Sequence, residues 1–134
     1  EKLNIAAAEL YRSWEENDVQ VEEYLVEDAE VILTGFGISG RIAKSAVDHM
    51  RRDGYKVGLI RPITVSPFPY QSYEKLDFSR LRGILDVEMA IPALMVYDVK
   101  MAVKDRCPIE TCLRSGGVII SREEVIAAAQ KLFQ

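Results

Sequence analysis

The chain has 134 residues, of which 49% are hydrophobic and 28% charged, and a formal net charge of −4. That length suits a single domain, read as residues 1–134, and the composition is that of a soluble globular protein able to bury a core. Interspersed acids and bases with a negative balance argue against nucleic acid as a partner, no apolar run reaches the roughly 18–20 residues of a membrane span, and no signal peptide opens the chain, so a cytoplasmic setting is expected.

In chain order, residues 2–16 carry Leu3, Ala7, Leu10 and Trp14 at three-to-four spacing, an apolar stripe that predicts a helix. Residues 19–26 alternate loosely and are flanked by acids, which predicts a polar strand at a sheet edge. Residues 31–34, Val-Ile-Leu-Thr, are a short β-rich run of the kind a buried parallel strand needs. A glycine turn follows. The helix after it is expected to bury Ile38, Ile42, Ala46 and Met50, with Ala43 and Val47 beside them, and to end at Gly54. Residues 56–61 are the next buried strand, which Pro62 is expected to stop.

Residues 63–70 hold two prolines and predict an extended loop, and residues 74–78 a helical turn. Residues 82–87 are another apolar strand. Pro92 suits the first turn of a helix running to about Lys104, with Leu94, Met95, Val99, Ala102 and Val103 on its buried side. Residues 109–114 form a last strand, Gly116-Gly117 leads to 118–120, and Ser121 with Glu124 reads as a capping box. The final helix is expected to bury Val125, Ile126, Ala129, Leu132 and Phe133. Repeated β-α alternation implies an α/β fold, with a mostly parallel sheet between helices.

The turn Gly35-x-Gly37-x-x-Gly40, between a strand and a helix, has the context of a dinucleotide fingerprint. The fingerprint also needs an acid at the end of the second strand, and here that strand ends Leu59-Ile60-Arg61-Pro62. The constellation is incomplete, and a tight strand-to-helix turn at the carboxyl edge of the sheet explains the glycines as well. Glu88 ends the third core strand and serves the crevice, structural satisfaction there or an interface salt bridge. Arg61 pairs with a carboxylate or meets a partner's phosphate. Phe68, in the proline-rich loop, is either a docking residue or part of the chain's own core. With Gly35, Gly37, Ser39 and Gly40, these residues make up the candidate crevice or interface. His49 sits in the second half of a helix with no partner motif and reads as a surface or interface residue, and Cys107 and Cys112 lack the further ligands of a metal site and read as two reduced thiols around a short strand.

The run from Val21 to Pro69 contains Glu27-Asp-Ala-Glu30, Gly37-x-Ser39-x-x-Arg-Ile-Ala-Lys44, Lys56-Val-Gly-Leu-Ile-Arg-Pro-Ile63 and Pro67-Phe-Pro69. With Val87-Glu-Met89 and Gly116-Gly117, it resembles the 2-oxoacid:ferredoxin oxidoreductases, in the α-chain domain that follows the pyrimidine-binding domain and is similar to the transketolase C-terminal domain. The resemblance implies three α/β/α layers around a five-stranded sheet in order 1-3-2-4-5, with strand 1 antiparallel. It implies a parent enzyme that oxidatively decarboxylates a 2-oxoacid, such as pyruvate or a branched-chain oxoacid, to its acyl-CoA. That enzyme uses thiamine diphosphate and Mg2+ and passes electrons through iron–sulfur clusters to ferredoxin. This domain would bind none of those cofactors itself, would have no catalytic or metal-ligating residue, and would serve structure and assembly as a piece of a longer chain. Its partners would be the other domains and subunits of an oligomer, with ferredoxin and CoA met through the full enzyme. The family's usual Glu-Met-Asn followed by Gly-Gln is replaced here by Glu88-Met89-Ala90-Ile91-Pro92-Ala93. The alternatives are the equivalent domain of a 2-oxoacid dehydrogenase β chain and a free dinucleotide-binding module.

Overall fold

The computed structural model describes residues 19–64, 67–89, 93–114 and 118–134. Five strands form one sheet: β1 (Val21–Tyr24), β2 (Val31–Thr34), β3 (Val57–Pro62), β4 (Gly83–Glu88) and β5 (Ile109–Leu113). Their spatial order is β1-β3-β2-β4-β5, with β1 antiparallel to β3 and the other neighbours parallel. This is the order that the resemblance implies. The predicted helix over 2–16 lies outside the described residues.

The three middle strands are short, apolar and buried, which a sheet covered on both faces requires. Side-chain alternation divides the interior in two. Val31, Leu33, Val57, Leu59, Leu85 and Val87 meet α1 (Gly37–Arg52) and α4 (Arg122–Lys131) on one face. Ile32, Ile60 and Ile84 meet α2 (Tyr70–Glu74) and α3 (Val96–Val103) on the other. Arg51 fastens one end of α1 to the sheet: it donates to both carboxylate oxygens of Asp28 (3.0 and 2.7 Å) and to the Val57 and Leu25 carbonyls (2.8 and 2.9 Å). At α4 the predicted cap is present, the Glu124 amide donating to Ser121 Oγ at 3.1 Å.

Three local expectations are corrected. Pro62 is the last residue of β3 and does not stop short of it. The parallel pairing with β2 ends at Ile60, so Pro62 faces only the edge strand, opposite Val21, where its missing N–H is tolerated. The helical turn expected at 74–78 is instead α2, one turn earlier, because Tyr73 must enter the core beside Phe68. Ile38 and Leu94 are 53% and 67% exposed. In the first turn of α1 the inward positions belong to Ser39 and Gly40, and Leu94 precedes α3. Residues 118–120 are irregular, with only Ile120 buried. Pro92 and Gly116-Gly117 lie outside the described residues.

Candidate functional site

The carboxyl ends of β2, β3 and β4 place the predicted residues along one edge of the sheet, on both of its faces. Gly35, Gly37, Ser39, Gly40 and Arg61 gather on the α1 face, and Phe68 and Glu88 lie with α2 and α3.

Each glycine of the turn has a local reason. A Cβ on Gly35 would come within 2.9 Å of the Val87 carbonyl of β4. Gly37 opens α1 at φ +58°, a left-handed conformation that side chains resist. A Cβ on Gly40 would meet Arg61 Cγ and Cδ at 2.7 Å and the Gly35 carbonyl at 2.8 Å. Arg61 therefore crosses the helix start because residue 40 has no side chain. Ser39 is buried in the same turn. Phe36 and Ile38 project there, 44% and 53% exposed.

Arg61 does pair with a carboxylate. Its Nε donates to Glu22 Oε1 at 2.8 Å, directly across from it on β1. Lys44 of α1 holds the other Glu22 oxygen. Lys44 first, and then Arg61, keep the Glu22 carboxyl below its usual range. Lys44 also stands 4.8 Å over the Tyr24 ring, whose hydroxyl donates to Asp48 at 2.6 Å. Sequence reasoning missed Glu22. The available signal was an acid in an edge strand whose antiparallel partner would carry an arginine.

On the opposite face, Glu88 is 3% exposed and accepts from the Leu94 and Met95 amides at 2.9–3.0 Å. It thus satisfies the N–H groups leading into α3, which is structural satisfaction at a strand end. Two residues earlier on the same face lies Asp86, fully buried, which sequence reasoning also missed. Burial, and then the Glu88 carboxyl beside it, push Asp86 up to about 9, so it is neutral at pH 7. Burial pushes Glu88 up too, but the Asp86 carboxyl and the Met95, Leu94 and Val96 amides outweigh it and hold Glu88 low. Asp86 was legible as a carboxylate inside the apolar run Gly-Ile-Leu-Asp-Val-Glu.

Thr34 stands opposite Asp86 in the β2–β4 register. Its hydroxyl donates to the Ile60 carbonyl at 2.8 Å and accepts from Tyr73 at 2.6 Å. Burial raises the Tyr73 hydroxyl far above the ordinary phenol range and keeps it a donor. Phe68 is 4% exposed and stacks on Tyr73 at 5.3 Å between ring centroids. It is a core residue, and its proposed role as a docking side chain is corrected accordingly: the loop turns it inward to cover Tyr73.

Among the described residues no three His, Cys, Asp or Glu side chains gather in a metal-binding group. Cys107 and Cys112 are both free thiols, raised by burial. His49 is a surface residue 3.6 Å from Asp53. No helix among the described residues is long and apolar enough to cross a membrane.

Comparison with known proteins places the chain in a family. Residues 29–125 match the model of pyruvate:ferredoxin oxidoreductase core domain II. The chain is 43% identical over 132 residues to the ketoisovalerate oxidoreductase subunit VorB of Methanothermobacter marburgensis, covering 98% of this chain and 37% of that protein. It is 30% identical over 112 residues to the 2-oxoglutarate synthase subunit KorA of Methanothermobacter thermautotrophicus, covering 84% and 29%. The chain thus spans about a third of the curated relatives that it matches. The fold recurs in a 2-oxoglutarate:ferredoxin oxidoreductase from Magnetococcus marinus, with a TM-score of 0.79, 16% identity, and coverage of 92% and 21%. It recurs also in the inactive β4 tetramer of a split-gene transketolase, with a TM-score of 0.69, 14% identity, and coverage of 84% and 41%.

Proposed function

The chain belongs to the pyruvate:ferredoxin oxidoreductase core domain II family, and from that premise we propose that it is a non-catalytic assembly domain of a thiamine-dependent 2-oxoacid:ferredoxin oxidoreductase. The observation that carries this reading is the 43% identity to the ketoisovalerate oxidoreductase subunit along 98% of the chain. The same relative makes a branched 2-oxoacid the favoured substrate of the whole protein. Thiamine diphosphate, Mg2+, the iron–sulfur clusters, CoA and ferredoxin belong, in this reading, to other domains and subunits. The side chains at the carboxyl edge support it: Glu88 is committed to the amides before α3, and Gly35, Gly37 and Gly40 to the backbone around them.

The surface offered to neighbouring domains is the carboxyl edge, where Phe36 and Ile38 are exposed in the turn that Arg61 crosses at Gly40. An exposed apolar pair has the composition of an interface centre. The domain contributes rigidity there, because Gly40, Arg61 and Glu22 lock the turn to the sheet. The test is turnover by the chain alone. The 134 residues, supplied with thiamine diphosphate, Mg2+, CoA, an electron acceptor and a branched 2-oxoacid, should give no product; measurable acyl-CoA formation would refute the non-catalytic reading.

A further inference from the structure

A cleft of about 410 Å³ opens between the outer side of α1 and the end of β3, lined by Arg41, Lys44, Ser45, Asp48 and Arg61. Three cations and one hydroxyl converge on it from two elements. Two acids stand beside it: Glu22 bridges Lys44 and Arg61, and the Asp48 carboxylate of its lining accepts from the Tyr24 hydroxyl. Lys44 is committed to Glu22, whereas the two arginines are not used up. Arg41 is exposed and has no partner among the described residues. Arg61 spends only its Nε on Glu22, and its two terminal nitrogens have no hydrogen-bond partner among the described residues. Its stem is fixed against Gly40, so the guanidinium is preorganised.

We propose that this cleft binds the phosphate group of a small molecule, with Arg41 and Arg61 as its two guanidinium donors and Lys44 and Ser45 completing the site. Two guanidinium groups on separate elements, an ammonium and a hydroxyl approach from several directions. A tetrahedral dianion offers acceptors to all of them, whereas a planar carboxylate is satisfied by a single fork. This assignment goes beyond the assembly reading and stands or falls separately from it.

The test follows backbone amide resonances of the chain during titration with inorganic phosphate, against sodium acetate and sodium chloride at matched ionic strength. Phosphate should give saturable shifts confined to residues 40–45 and 61. Arg41→Ala should weaken binding about tenfold, the loss expected for one charge-assisted hydrogen bond, with the melting temperature unchanged because Arg41 is exposed. Arg61→Lys, which keeps the charge and loses the fork, should weaken it as well. Shifts that chloride reproduces, acetate as effective as phosphate, or Arg41→Ala binding like the parent chain would each overturn the proposal.

Discussion

Arg61 lies across Gly40, its Cγ and Cδ occupying the space that a Cβ on residue 40 would need, at 2.7 Å. One contact accounts for a glycine inside a helix and for an arginine at a strand end. It also ties the turn to the edge strand through Glu22. Gly40→Ala should therefore destabilise the chain by about 2 kcal/mol, the scale of an overpacked site. Arg61→Ala alone should cost less than about 1 kcal/mol, because the pair it breaks is partly exposed. In the double variant the side-chain overlap disappears while the Gly35 carbonyl still crowds the site at 2.8 Å, so part of the loss should return. A double-mutant cycle by urea denaturation reads this coupling, and strict additivity would contradict the contact.

Asp86 predicts an unusual pH profile. Its folded pKa is raised from 3.8 to about 9, so between those values the folded chain holds a proton that the unfolded chain has lost. The stability it contributes is fully present below about pH 4 and falls as pH rises towards 9. The slope reaches about 1.4 kcal/mol per pH unit where only this group titrates. Asp86→Asn keeps the shape but cannot ionise. The variant should be more stable than the parent chain at pH 8, and its stability should vary less between pH 5 and 8. Parallel profiles for the two proteins would refute the buried neutral acid.

Glu88 should matter to folding through α3. Glu88→Ala leaves the Leu94 and Met95 amides without their acceptor, at an expected cost of about 3 kcal/mol. Hydrogen exchange should show the loss first at Leu94, Met95 and the start of α3. Unchanged protection there would mean that those amides do not depend on Glu88.

Much of this fold was legible because its signals are local. Val31-Ile-Leu-Thr34 could only be a short buried strand, and Ser121 with Glu124 announced the start of α4. The polar β1 declared itself an edge by its acids. The strand order and the antiparallel β1 came from the resemblance, since pairing between distant strands leaves no local mark. What local reading misplaced depends on the same long-range geometry. Ile38 fits the apolar period of α1, yet the helix starts beyond the sheet and its first turn has only the Gly40 side to bury. Phe68 reads from the sequence as either a docking residue or part of the core, and a stacking partner five residues on draws it inside. The candidate residues were grouped as one crevice or interface, and the sheet separates them: Arg61 with α1, Glu88 with α3. The partner that explains Arg61, Glu22, lies on a distant strand whose register no local signal gives.

Phe36 and Ile38 are the exposed apolar centre of the carboxyl edge. The measurement is sedimentation velocity, with 2-oxoacid-dependent ferredoxin reduction in parallel, on the full-length protein with its partner subunits, comparing the parent with Phe36→Asp/Ile38→Asp. The account predicts a folded variant with an unchanged melting temperature that fails to assemble and loses turnover with assembly. A variant that assembles and turns over like the parent would contradict it.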